Sequence, residues 1–125
     1  MAEHNQLGKA GEQLACEYLI AQGYIVRDTN WRVGHLEIDI VAQKPGSGWL
    51  NIIEVKTRTT DAHFDPMRAV TAIKRRNLVA AANAYVRRYH LQMSVQFDVI
   101  LIVGKDDNVR VQYIPRAFQP ALRTY

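Results

Sequence analysis

Leu36–Ala42 and Trp49–Thr57 carry charged residues alternating with aliphatic ones at the two-residue period of a β-strand. Between them lies Lys44-Pro45-Gly46-Ser47-Gly48, the densest turn signal in the chain. This pattern predicts an antiparallel hairpin whose connection is longer than the tight two-residue type. Because strand side chains alternate between faces, it also predicts where the charges go. Glu37 and Asp39 share one face, with Leu36, Ile38 and Ile40 on the other; Glu54 and Lys56 share a face, with Ile53 and Val55 opposite. If the strands pair as neighbours, Asp39, Glu54 and Lys56 converge on one patch, held rigidly by the aliphatic alternates.

The other elements follow from period and punctuation. Apolar residues at Leu7, Leu14, Ala15, Tyr18 and Leu19 predict an amphipathic helix over about Leu7–Gln22, stopped by Gly23. Tyr24–Val26 reads as a short strand, followed by a polar stretch, Arg27–Arg32. Asp65-Pro66 reads as the N-cap and first residue of a second helix running to about Tyr89. Val70, Ile73, Leu78, Ala81 and Tyr85 would share its buried face. Gln96–Val103 is a further strand, and Asp106-Asp107-Asn108 turns the chain into a last one, Val109–Ile114. The order αβββαββ predicts an α/β domain over residues 1–125, a mixed β-sheet flanked by helices.

Sixteen Lys and Arg against 12 Asp and Glu give a net charge of +4, a mild bias toward polyanions. The single cysteine, Cys16, allows no intrachain disulfide and suits a reducing compartment. The opening MAEHNQLGKAGEQ lacks a signal-peptide core and no apolar run is long enough for a bilayer span. The expectation is a cytoplasmic protein with no membrane partner. Ser47, Thr57 and Ser94 lack triad-like company, and His4, His35, His63 and His90 are scattered without metal spacing. No glycine-rich phosphate loop is present.

The predicted patch offers different chemistry. Two carboxylates at close range repel unless a divalent cation neutralises them, and oxygen donors suit hard ions, Mg2+ or Mn2+. Such an ion lowers the pKa of a bound water and stabilises charge on a phosphoryl oxygen. A neighbouring lysine orients that water and offsets developing charge. The main-chain carbonyl of Val55 is a further candidate ligand. The plain alternative is an ion-pair strip on a solvated sheet face, from which Glu-x-Lys alone does not differ.

Asp39 followed by Glu54-Val55-Lys56, after a helix carrying Glu12, resembles the PD-(D/E)xK nuclease superfamily. The chain more closely resembles the small bacterial YraN-like family, relatives of archaeal Holliday-junction resolvases. The matching residues are Gly8-Lys9-Ala10-Gly11-Glu12 with Ala15, Tyr18 and Leu19; Gly23-Tyr24; Asn30 with Arg32; Glu37-Ile38-Asp39; and Glu54-Val55-Lys56-Thr57-Arg58. Ala69-Val70 with Lys74, Phe97-Asp98-Val99 and Ala117-Phe118 continue the series. The chain departs from the pattern at Leu36, where the family has glycine, at Phe64-Asp65, where it has an aromatic-Gly pair, and at Gln96, where it has arginine. The resemblance implies a restriction-endonuclease-like core, a divalent metal, and Asp39, Glu54 and Lys56 in the catalytic roles. It also implies Glu12 as an extra helix-borne carboxylate, DNA as substrate with structure-selective cleavage, and, by analogy with the resolvases, a two-fold homodimer.

Arg58, Lys74, Arg75, Arg76 and Arg32 are the candidate phosphate contacts, with a solvated basic helix face as the equal alternative for Arg75 and Arg76. Lys74 borders the apolar face beside Val70, Leu78 and Ala81 and is expected to turn toward the site, whereas Arg75 and Arg76 are expected to point away. Glu37 suits a basic partner as well as a metal. The expected function is DNA phosphodiester hydrolysis. The alternative is a nucleic-acid-binding module that keeps the fold without turnover, marked by salt-sensitive DNA binding and no metal-dependent cleavage.

Overall fold

A computed structural model describes residues 2–60, 62–65 and 68–120, with side chains from Ala10 onward. The elements are α1 (Ala2–Ala21), β1 (Ile25–Val33), β2 (Leu36–Gln43), β3 (Trp49–Arg58), α2 (Ala72–Arg88), β4 (Ser94–Lys105) and β5 (Asn108–Phe118). The expected αβββαββ order is the observed one, and the five strands form a mixed sheet in sequence order. β3 and β4 are parallel, and the other neighbours are antiparallel. A parallel pair cannot be joined by a tight turn, so α2 is its crossover.

Each face of the sheet is covered by one helix. α1 buries Ala15 and Leu19 against Ile40, Ala42, Ile53, Ile100 and Ile102. On the other face, α2 sets Leu78, Ala81, Ala82 and Tyr85 against Ile38, Val41, Leu50, Ile52, Phe97 and Val99. At Gly11 the first helix comes very close to β3: an added Cβ would lie 2.9 Å from Thr57 Oγ1. Glycine there lets α1 press onto the strand that carries Glu54 and Lys56.

Several boundaries differ from the sequence reading. The polar stretch Arg27–Arg32 lies within β1, because an edge strand needs backbone pairing on one side only and can expose its polar side chains. The second helix begins at Ala72, not Pro66, which lies outside the described residues. Thr71 is its N-cap, its hydroxyl accepting from the Lys74 N–H at 3.2 Å. Val70 is buried just ahead of the helix, and Ile73 is 64% exposed rather than inward-facing. α1 starts earlier than Leu7, and Gly23, at φ +90°, ends it as expected.

Tyr85 ties the edge strand to α2. Its ring is fully buried, its hydroxyl donates to Asp28 Oδ2 at 2.6 Å, and it accepts from Arg27 Nε at 3.0 Å. Burial, and then the bond to Asp28, push its pKa up to about 12. Tyr85→Phe is expected to cost about 1.5–3 kcal/mol, the value of a hydrogen bond to a charged group. A urea-unfolding midpoint identical to the parent's would show that β1 does not depend on this link.

Candidate active site

The simple alternation of β2 breaks at Asp39. Ile38 packs on the α2 side and Ile40 on the α1 side, although two residues apart they were expected to share a face. Opposite Asp39, between the pairs Thr29↔Ile40 and Trp31↔Ile38, stands Asn30 at φ +50°. Asparagine tolerates that left-handed conformation, and both strands turn there together. The β2–β3 ladder also stops at Ile40↔Ile53. Beyond it the link passes through a side chain: Asp39 Oδ2 accepts from the Val55 N–H at 2.9 Å. Asp39 is thus turned toward β3 at the point where the strands part.

Glu54 and Lys56 lie on the α2 side of β3, while Ile53 and Val55 pack toward α1, as the alternation predicts. Lys56 Nζ stands 3.9 Å from Glu54 Oε1, and Lys74 Nζ, from the first turn of α2, stands 3.6 Å from Oε2. Lys74 therefore turns toward the site. Arg75 turns back instead, with Nε donating to Val70 O and its guanidinium over the Phe118 ring.

The Glu54 side chain is only 7% exposed, and its Oε2 has no hydrogen-bond partner. Burial first, and then the charge of Asp39, push its pKa up to about 7, against the opposing pull of Lys74 and Lys56. A carboxyl with a folded pKa above its ordinary 4.5 holds its proton more tightly in the fold. Its contribution is therefore complete below pH 4.5 and is lost as pH rises through 7. The loss is on the order of 3 kcal/mol. Glu54→Gln removes it, so the variant should melt roughly 5–10 °C above the parent at pH 8 and lose that advantage in acid. Melting curves across this range check it; parallel pH profiles would refute it.

Asp39 and Glu54 are two hard oxygen donors, one with a buried, unsatisfied atom. That fits Mg2+ or Mn2+: Mg2+ is commonly held by one or two carboxylates, with water and substrate oxygens completing its shell. Among the described residues, no cluster of three or more His, Cys, Asp or Glu side chains is placed for a metal. Glu12 stands apart from the pair: α1 lies on the opposite face from Glu54, and Glu12 Oε2 accepts from Asn30 Nδ2 at 2.8 Å. Its link to the site runs through Asn30, across from Asp39. Glu37 pairs with Arg32 at 3.6 Å, and Arg32 is otherwise largely exposed. Arg58, two residues beyond Lys56, is exposed and donates to Thr57 O at 2.8 Å.

The sequence reading named Asp98 only within a matching stretch and gave no role to this lone acid inside the apolar run Phe97–Val103. That isolation was the available signal. The structure buries it beside β3 and β5 as a hub of hydrogen bonds.

Residues 11–102 match the family described as Uncharacterised protein family UPF0102. A UPF0102 protein of Bacteroides fragilis is 48% identical over 122 residues, covering 98% of this chain and 99% of the relative. The chain belongs to family UPF0102. A UPF0102 protein of Bacteroides thetaiotaomicron is 46% identical over the same coverage, and one of Flavobacterium psychrophilum is 40% identical over 94% of this chain and 98% of its own. The span matched to UPF0102 contains Glu12, Asp39, Glu54, Lys56 and Lys74. No helix among the described residues is long and apolar enough to cross a membrane.

Proposed function

We propose that this UPF0102 protein is a metal-dependent endonuclease that hydrolyses DNA phosphodiester bonds, a YraN-like member of the PD-(D/E)xK superfamily. One observation carries the reading: where β2 and β3 part, Asp39 is turned toward β3, and the buried Glu54 carboxyl faces Lys56 at one oxygen and Lys74 at the other, the second oxygen having no hydrogen-bond partner. A surface ion-pair strip would be solvated, whereas Glu54 is buried, which argues against that alternative.

Asp39 and Glu54 would hold Mg2+ or Mn2+, which supplies an acidified water and charge stabilisation at the phosphoryl oxygen. Asp39 is braced by the Val55 amide, so its carboxylate is fixed before any ligand arrives. Lys56, anchored on a central strand, orients the attacking water and offsets negative charge as it develops. Lys74 presents its amine from α2 to the phosphate group.

A second feature favours a polyanionic substrate. The start of α2 carries Lys74, Arg75 and Arg76 and no acidic residue in its first turn. Cations at the positive end of a helix are unfavourable by about 0.3–1 kcal/mol each, and a bound phosphate chain reverses the sign.

The test is cleavage of duplex, flap and four-way DNA with Mg2+ or Mn2+, comparing the parent with Asp39→Asn. Loss of cleavage in the variant and on chelation supports the assignment; equal activity of both proteins sinks it. A readout without turnover accompanies it: Mg2+ should raise the melting temperature of the parent at pH 8 and leave that of Glu54→Gln unmoved.

A further inference from the structure

The face of β3 that presents Glu54 and Lys56 continues to Arg58, about 7 Å beyond Lys56 at the rise of a strand. There it opens into a cavity of about 370 Å³ lined by Arg58, Thr60, His63, Phe64, Arg68 and Ala69, with Asp65 at its wall. That volume is within the range of pockets that hold small organic ligands, roughly 300–1,000 Å³.

The lining combines two kinds of group. Phe64 and Ala69 pack against the α2-side core, so the floor is apolar and anchored. Arg58, Arg68 and His63 surround it with nitrogen donors, and Asp65, whose Oδ2 is 3.7 Å from Arg68 Nε, adds a hydrogen-bond acceptor. An aromatic floor with basic groups and one acceptor suits a planar heterocycle attached to a phosphate, and Arg58 lies on the side toward the catalytic lysine.

Resting on the nuclease reading above, we infer that this pocket receives the base of the nucleotide next to the scissile phosphate, unstacked from its neighbours. Arg58 meets the adjoining phosphate, Phe64 and His63 contact the faces of the base, and Asp65 and Thr60 address its edge. A continuous duplex must give up a stacked base to fill the pocket, so cutting is fastest beside a nucleotide that is already unpaired.

The experiment uses the wild-type protein with Mg2+ and DNA substrates that share one cut site and carry an abasic nucleotide at successive positions around it. Removing the base at one position adjoining the cut should lower kcat/KM about ten- to hundredfold, the scale of losing one base–aromatic stack. Abasic nucleotides farther away should have little effect. In His63→Ala and in Phe64→Leu, which keeps the packing but removes the ring, the penalty at the adjoining position should largely disappear. Equal cleavage of every substrate by the wild type, or a full penalty in both variants, overturns the pocket assignment and leaves the nuclease reading standing. Absence of metal-dependent cleavage on any substrate overturns both.

Discussion

Lys56→Ala should lower metal-dependent DNA cleavage by about a hundred- to ten-thousandfold, the span typical of a positioned acid–base group, while the fold stands. The lysine is three-quarters buried and rises from a strand in the centre of the sheet, so its amine is held where Glu54 is. Alanine keeps the strand but removes the group that orients water and offsets phosphoryl charge. It also takes one cation from Glu54, whose carboxyl Lys56 helps to ionise, and so weakens the metal site. Lys56→Arg should restore little, because a planar guanidinium does not reproduce a compact point charge. Single-turnover rates at saturating Mg2+, with urea midpoints as the folding control, decide the matter. A well-folded alanine variant that cuts at the parental rate would remove Lys56 from the chemistry.

The largest loss of stability should come from Asp98→Ala, on the order of 4 kcal/mol. Asp98 is 1% exposed. Its Oδ2 accepts from Asn51 Nδ2 at 2.8 Å and from Tyr113 Oη at 2.6 Å; its Oδ1 accepts from Gln96 Nε2 and the Arg116 N–H, both at 2.9 Å. The Arg116 bond matters for the backbone. β5 bulges there, pairing Phe97 with Phe118 but Val99 with Ile114, and Arg116 sits at φ +52°. Asp98 holds that bulge closed. Burial, and then the bond to Asp98, raise the Tyr113 pKa and keep its hydroxyl a donor. Alanine would leave the buried Asn51 amide and the half-buried Tyr113 and Gln96 donors without this acceptor, against a total stability of about 5–15 kcal/mol for a typical domain. Denaturant unfolding measures it, and a change of about 1 kcal/mol or less would mean the network is dispensable.

The hairpin that carries the site was legible because period-two alternation and a Pro-Gly-rich turn are local signals. So was the placement of Glu54 and Lys56 on one face, since β3 is regular. The face of Ile38 was not legible. It depends on a backbone turn at Asn30, one strand away, and alternation assumes that no such turn occurs. The start of α2 was misplaced for a similar reason. The sequence reading offered Asp65-Pro66 alone as the cap, whereas Thr71 caps the helix whose Leu78, Ala81 and Tyr85 dock on the sheet. Ile73, apolar yet exposed, shows that hydrophobicity alone does not orient a helix.

Element order, strand alternation and the set of charged residues available for chemistry could be read from the chain, because these follow from covalent order and nearest-neighbour geometry. Lys74 was expected to turn toward the site, but its pairing with Glu54, the meeting of Glu12 with Asn30 and the burial of Asp98 as a hub came only with the packed molecule. Each of these rests on which face of the sheet a distant element covers. That choice is made by burial of the whole core, not by any local pattern.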